Sequence, residues 1–331
     1  MSLSSSSPSS SSSSSSPPPP PLLSPHLSSH YASHSLPSPA LSSFLTDQSK
    51  APHRYVRLNP RHSFSQTLTD LRAQTGSSPI PVPWLPPEAG FYAIPSECRL
   101  KNLEVYEKGR LSGMDVTSGA AVVALSLPSG AASPVRVLDL CCCPGAKLAM
   151  IVDGLGEAEG AEVVGVDVSE SRMHVCRKMV KKYCCSSSSS SSSSRAVVRL
   201  YRGDGAAFDP ASPSFSSTHE LVFDSRAEAL ESNAGERKKM NKSARAREKR
   251  RLRDLSLRDL SSLPPKGSAG GEELCELFDY VLVDAECSTD GAVNTLRHKL
   301  KASAAAASLI NVANEKEEEI ADLQRHLLLS G

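Results

Sequence analysis

Residues 139–148 read DLCCCPGAKL. Three adjacent thiols followed by Pro-Gly and a lysine raise three chemistries: metal ligation, thiol–disulfide exchange, and a turn that cradles a ligand. Adjacent residues leaving a strand point in alternating directions, so three consecutive cysteines do not converge on one zinc as two spaced CxxC pairs do. A redox CxxC places two residues between its thiols, and here the outer pair encloses only one. No metal is expected on this spacing. The cradle fits better. Pro144 keeps Cys143 out of helical space, and Gly145 lets backbone come close to a ligand. A helix opening at Ala146 offers free N–H groups and a positive dipole end, and Lys147 adds a cation.

Three acids extend the pattern. Asp167 follows Gly145 by 22 residues, close to the offset of about 20 for an acid that binds ribose hydroxyls. The spacing fits a nicotinamide dinucleotide or S-adenosylmethionine, and the absence of GxGxxG favours the latter. Asp204, in RGDGAAF, could reach an adenine amino group or could be a plain turn residue of a Gly-Asp-Gly sequence. In DAEC, Asp284 and Cys287 lie three residues apart. A carboxylate can hydrogen-bond a pyrimidine ring while a thiolate adds to it or assists elimination. The competing reading is a buried structural cysteine.

These residues need elements to position them. The runs at 135–140, 162–168, 196–204 and 278–288 read as four strands, each ending in or near an acid, Asp139 in the first. Helices are expected at 146–155, 171–183 and 315–329, the last with Ile320, Leu323, Leu327 and Leu328 on an apolar face. Strand–helix alternation with acids at strand ends predicts a parallel sheet of the α/β class with its site at the carboxyl edge. Before it, a strand at 54–60, a helix at 64–74 stopped by Gly76, and a Pro-rich stretch holding Trp84 predict a small α+β module over 53–105. The domain with the sheet then spans 106–331. Residues 1–46 contain no Asp, Glu, Lys or Arg, so 1–50 is expected to be a disordered Ser/Pro-rich tail. About 209–272 is too long for an ordinary crossover and is expected to be a disordered insertion. It contains ten basic residues against one acid between Arg237 and Arg253, a phosphate-binding or nuclear-import block or simply a solvated face. Net charge is +1, which excludes no partner. Apolar runs are too short for a membrane span, and no secretory signal opens the chain. The nine cysteines, clustered at 141–143 and 184–185, are expected to be reduced thiols.

Taken in order, six motifs resemble the NOL/NOP/Sun family of RNA cytosine-5 methyltransferases. DLCCCPGAKL resembles the family's D-x-C-A-A-P-G-G-K-T loop, VVGVDVSESRM its ribose-binding strand, and FDYVLVDAECSTDG its F-D-x-x-L-x-D-A-P-C-S-x-x-G segment. GMDVTSGAAVVAL is similar to the Q-D-x-x-S helix, RYVRLNP to the R-x-N element of an N-terminal RNA-binding module, and LQRHLL to the L-Q-x-x-L-L helix. The resemblance covers roughly 53–205 and 275–331. It implies a Rossmann-like methyltransferase sheet, S-adenosylmethionine as cofactor and ribosomal or transfer RNA as partner, with a monomer expected. Cys141, Cys142, Cys143, Pro144, Gly145, Ala146 and Lys147 would line the methionine end. Asp167 would hold the ribose, with Arg172 beside it, and Asp204 the adenine. Asp284 would lie beside cofactor and target base. Arg57 and Asn59 would touch RNA.

The family's attacking cysteine lies in a later T-C-S motif, and Cys287 matches the cysteine that helps product release. No T-C-S follows Cys287, so the sequence is expected to be C-terminally incomplete in its sheet. Glu286 replaces the motif's proline, and Ala146 its second glycine. Three rivals stay open: a non-catalytic RNA-binding protein, an enzyme with Cys287 itself as nucleophile, and a dinucleotide oxidoreductase. The basic block points to the nucleus or nucleolus.

Overall fold

The computed structural model describes residues 53–128, 134–156, 158, 160–185, 196–210, 212, 214–232, 278–285 and 311–331, together with positions 243, 247, 250 and 254. The expected Ser/Pro tail, the second polyserine run, most of the basic block, Glu286 and Cys287 lie outside them.

The N-terminal part is a four-stranded antiparallel sheet. It is built from β1 (Arg54–Leu58), β2 (Ile80–Pro81), β3 (Phe91–Ile94) and β4 (Leu111–Gly113), in the order β2-β3-β1-β4. Helix α1 (Phe64–Thr75) covers it. Ser63 caps α1 by accepting the Gln66 N–H, and Gly76 ends it in the left-handed region at φ 68°, where a residue without Cβ carries no penalty. Val56, Leu58, Leu71, Ile94, Val105 and Leu111 form the core beneath. The small sheet therefore draws a strand from beyond residue 105, the boundary expected from the sequence. Trp84 is exposed.

Helix α2 (Val116–Ala124), capped by Asp115, leads into the second sheet. Its strands are β5 (Arg136–Asp139), β6 (Glu162–Asp167), β7 (Val197–Arg202), β8 (Glu220–Asp224) and β9 (Tyr280–Leu282), ordered β8-β7-β6-β5-β9. Strands β5, β6, β7 and β9 run parallel, as expected. All six residues of β6 are buried, which is why VVGV reads as an unbroken apolar run instead of an alternation. Helices α3 (Ala146–Leu155) and α4 (Glu170–Val180) make the crossovers from β5 to β6 and from β6 to β7. The α3 face buries Leu148, Met150, Ile151, Val152 and Leu155.

Two expectations are corrected. The region 209–272 is not wholly an insertion: within it Glu220–Asp224 forms β8, antiparallel to β7, followed by α5 (Ser225–Ser232). Arg199 on β7 explains the pairing. Its buried guanidinium donates to Glu162 of β6 and Asp224 of β8, so three strands share one satisfied charge network. Helix α6 (Asn311–Ser330) forms near the expected place, but of the four residues given to an apolar face only Leu327 is buried. Leu323 and Leu328 are exposed.

Candidate active site

The strand order reverses at β5, with β6 on one side and β9 on the other. In such sheets ligands lie in the crevice outside the carboxyl ends of the strands. Four acids occupy that edge: Asp139 ends β5, Asp167 ends β6, Asp204 lies two residues past β7, and Asp284 two past β9.

The loop after β5 is fastened to two of these acids. Cys141 N–H donates to Asp139 Oδ1 at 3.3 Å, and Cys143 N–H to Asp167 Oδ2 at 3.3 Å. Cys142 N–H reaches the Val166 carbonyl at 3.0 Å. The Cys143–Pro144 peptide is cis, and Gly145 has φ 103°. A side chain at Gly145 would stand 2.9 Å from the Cys176 sulfur on α4. The missing side chain at Gly145 therefore makes room for α4. Among the described residues no side chain caps the start of α3, where Gly145 stands.

Asp167 is buried, yet it keeps capacity for a ligand. Its Oδ1 accepts from Ser169 N–H at 2.9 Å and its Oδ2 from Cys143, with Arg172 ion-paired at 3.5 Å. An ionised carboxylate offers about four lone-pair sites, so two protein N–H bonds leave room for hydroxyls. Arg172 also donates to the Cys143 carbonyl at 2.6 Å, tying α4 to the loop. Lys147 is less free than expected. Its Nζ donates to Ser118 on α2 at 2.9 Å and forms an ion pair with Asp284. Asp204 caps the turn Gly205–Ala207 through the Ala206 N–H at 3.0 Å. It stays exposed, so the structure realises the turn reading while leaving the carboxylate at the edge.

Asp139 ends the first strand in the sequence reading but was not named there as a candidate site residue. It is buried, and its Oδ2 has no hydrogen-bond partner among the described residues. Burial pushes its carboxyl up to about 7, opposed by the Cys141 N–H and the Lys147 cation. The available signal was an acid closing an otherwise apolar strand. Val168 was missed too: it stands 73% exposed between Asp167 and Ser169, an apolar surface at the carboxyl edge of the sheet. Burial and, after it, the charges of Asp139, Asp167 and Asp284 together push the Cys141 thiol up to about 12, with Arg172 pulling the other way. One thiol thus feels four of the edge residues together, and it stays protonated near neutral pH.

Arg57 and Asn59 are corrections. Arg57 Nη1 donates to Asp153 of α3 at 2.7 Å, and both side chains are buried. Asn59 is buried and donates to the Gly109 carbonyl at 2.9 Å. Arg57 ties the small sheet to α3 and Asn59 ties the end of β1 to the turn before β4, so neither side chain is presented at the surface. Cys287 lies outside the described residues.

No family model and no curated protein sequence matches this chain. Solved structures do. PH0851 superposes with a TM-score of 0.50 at 17% identity, over 95% of this chain and 53% of its own. NSun6 from Pyrococcus horikoshii, solved with SFG, gives 0.43 at 14% identity, over 56% of this chain and 67% of its own. A methyltransferase homolog protein from Pyrococcus horikoshii gives 0.38 at 16% identity, over 56% and 58%. The likeness to PH0851 establishes a shared fold, and this chain spans about half of that protein's length.

Proposed function

We propose that this chain binds S-adenosylmethionine and is the cofactor-holding part of an RNA methyltransferase acting on carbon 5 of cytosine. The observation that carries the proposal is the fastening of the loop after β5 to Asp139 and Asp167, with Arg172 on Asp167 and Lys147 on Asp284, at the switch point of the sheet. The sequence motifs supply the reaction class.

The residues fit this cofactor. The buried, unpartnered Asp139 Oδ2 suits a cationic amino group, because an orphaned buried acceptor costs about 1–3 kcal/mol until it is satisfied. Asp167 has lone pairs for ribose hydroxyls, and exposed Val168 offers an apolar face to a flat ring. When bound, S-adenosylmethionine supplies an electrophilic methyl group on a sulfonium.

The chain's own groups have distinct tasks. Lys147 holds Asp284 at the edge of the crevice, where the carboxylate can accept a hydrogen bond from a pyrimidine amino group. Cys141, protonated, lines the crevice without competing as a nucleophile. Nuclear localisation through the basic block at 237–253 belongs to the same proposal.

Isothermal titration tests cofactor choice. S-adenosylmethionine and its demethylated product are expected to bind and NAD to be inert; binding of NAD alone overturns the proposal. Incubation with methyl-labelled cofactor and RNA, followed by nucleoside mass spectrometry, tests the base. Label in 5-methylcytidine supports the reaction, and label in another nucleoside refutes it.

A further inference from the structure

The three thiols of the loop do not act as a set; two of them join a third from a different element. Cys142, Cys143 and Cys176 place their sulfurs within 4.8 Å of one another, with Cys142 and Cys176 at 4.0 Å. All three are buried, at 3%, 5% and 0% exposure. Cys141 is only partly buried and is not in the group. The consecutive spacing hid this arrangement, since the third ligand comes from the second turn of α4.

The surroundings keep these sulfurs where they are. Gly145 and Gly165 flank them: a Cβ at Gly145 would lie 2.9 Å from the Cys176 sulfur, and one at Gly165 would lie 2.9 Å from that of Cys142. The loop is held by Asp139 and Asp167 through backbone bonds. Arg172 on α4 clamps the Cys143 carbonyl. The sulfurs are thus fixed from both elements by contacts that do not involve the thiols.

Geometry and ligand type select the occupant. With metal–sulfur bonds of about 2.3 Å, three sulfurs around a trigonal ion stand roughly 4.0 Å apart. Thiolates favour soft cations such as copper(I) and zinc. Structural zinc is almost always four-coordinate, and among the described residues this group consists of three sulfurs. We infer that Cys142, Cys143 and Cys176 form a three-sulfur site for a soft monovalent cation, copper(I). Binding breaks S–H bonds, forms metal–sulfur bonds and releases the protons to solvent, with no change in oxidation state. The ion would join the loop after β5 to α4 from behind the cofactor crevice.

The test is anaerobic titration of the reduced chain with copper(I) against a chromophoric copper(I) chelator. Ultraviolet sulfur-to-metal charge transfer and X-ray absorption follow the binding. One equivalent that resists the chelator, with three sulfur neighbours, is expected. Since loss of an outer-shell partner alone costs about 10–100-fold in metal affinity, Cys176→Ala should lower affinity by more than about a hundredfold. Cys142→Ala/Cys143→Ala should do the same, and it places alanines where the resembled loop has them, which guards against a folding artefact. Cys98→Ser should leave binding unchanged. Retained affinity in Cys176→Ala with native circular dichroism overturns the site. Two sulfur neighbours, or a preference for zinc with four ligands, also overturns it.

Discussion

Two ion pairs of similar composition have opposite characters. Arg57 and Asp153 join the small sheet to α3, with side chains 8% and 5% exposed, and Arg61 adds a second cation to the same carboxylate at 3.3 Å. Lys147 and Asp284 join α3 to the end of β9, with Asp284 half in solvent. The first pair is a closed structural joint. The second stands at the mouth of the crevice and can be drawn apart by a ligand. Residue type does not separate them, whereas burial does, because water screens one carboxylate and not the other.

The comparison is broken most severely at the closed joint. Asp153→Ala leaves two guanidinium groups without their acceptor, and loss of one partner of a buried pair costs about 3–5 kcal/mol. Urea unfolding should show this as a lower midpoint. A wild-type midpoint would mean that solvent reaches the joint.

Asp139 sharpens the contrast through pH. Its carboxyl is raised from 3.8 to about 7 in the folded chain, so between these values the folded state holds a proton that the unfolded state has released. This stability is fully present below about pH 4 and is lost as pH rises through about 7, roughly 4 kcal/mol in all. Asp139→Asn should remove that slope. Unfolding curves for both proteins across the window, subtracted, isolate the effect.

At the crevice, Asp167→Ala should weaken S-adenosylmethionine binding by about 10–100-fold, as expected for hydrogen bonds to a charged group worth about 1.5–3 kcal/mol. Titration calorimetry reads it directly, and unchanged affinity would remove Asp167 from the cofactor's partners. The smallest effect belongs to the open pair: Lys147→Met should shift stability by no more than about 1 kcal/mol. A loss as large as that of Asp153→Ala would erase the distinction.

Much of this was legible in the sequence. Strands β5, β6 and β7 announced themselves because buried parallel strands are largely apolar, Arg199 of β7 apart, and Asp167 and Asp284 because acids close such runs. Strand β8 was hidden inside a region of low complexity. Its antiparallel pairing depends on Arg199 meeting Asp224 and Glu162, a contact between distant positions that local pattern cannot carry. Arg57 and Asn59 misled for a related reason: a polar residue in a motif looks available until its partner, here Asp153 or the Gly109 carbonyl, is known. The thiol group escaped because two of its members are adjacent in sequence while the third, Cys176, comes from a helix on the far side of β6. Gly145 was recognised as special, but the neighbour that demands it is α4.

The placement of β9 has a consequence for how the chain is made. It pairs with β5 across a separation of 143 residues, whereas β5, β6 and β7 follow one another closely. Synthesis at about 5–20 residues per second puts roughly 7–30 s between the emergence of these two neighbours. During that interval β5 has an unclaimed edge, and Lys147 has no Asp284 to hold. The half of the crevice that carries Asp139 and Asp167 can therefore form on the ribosome well before the half that carries Asp284, and the nascent chain must keep one strand's hydrogen-bonding groups waiting for a partner not yet translated.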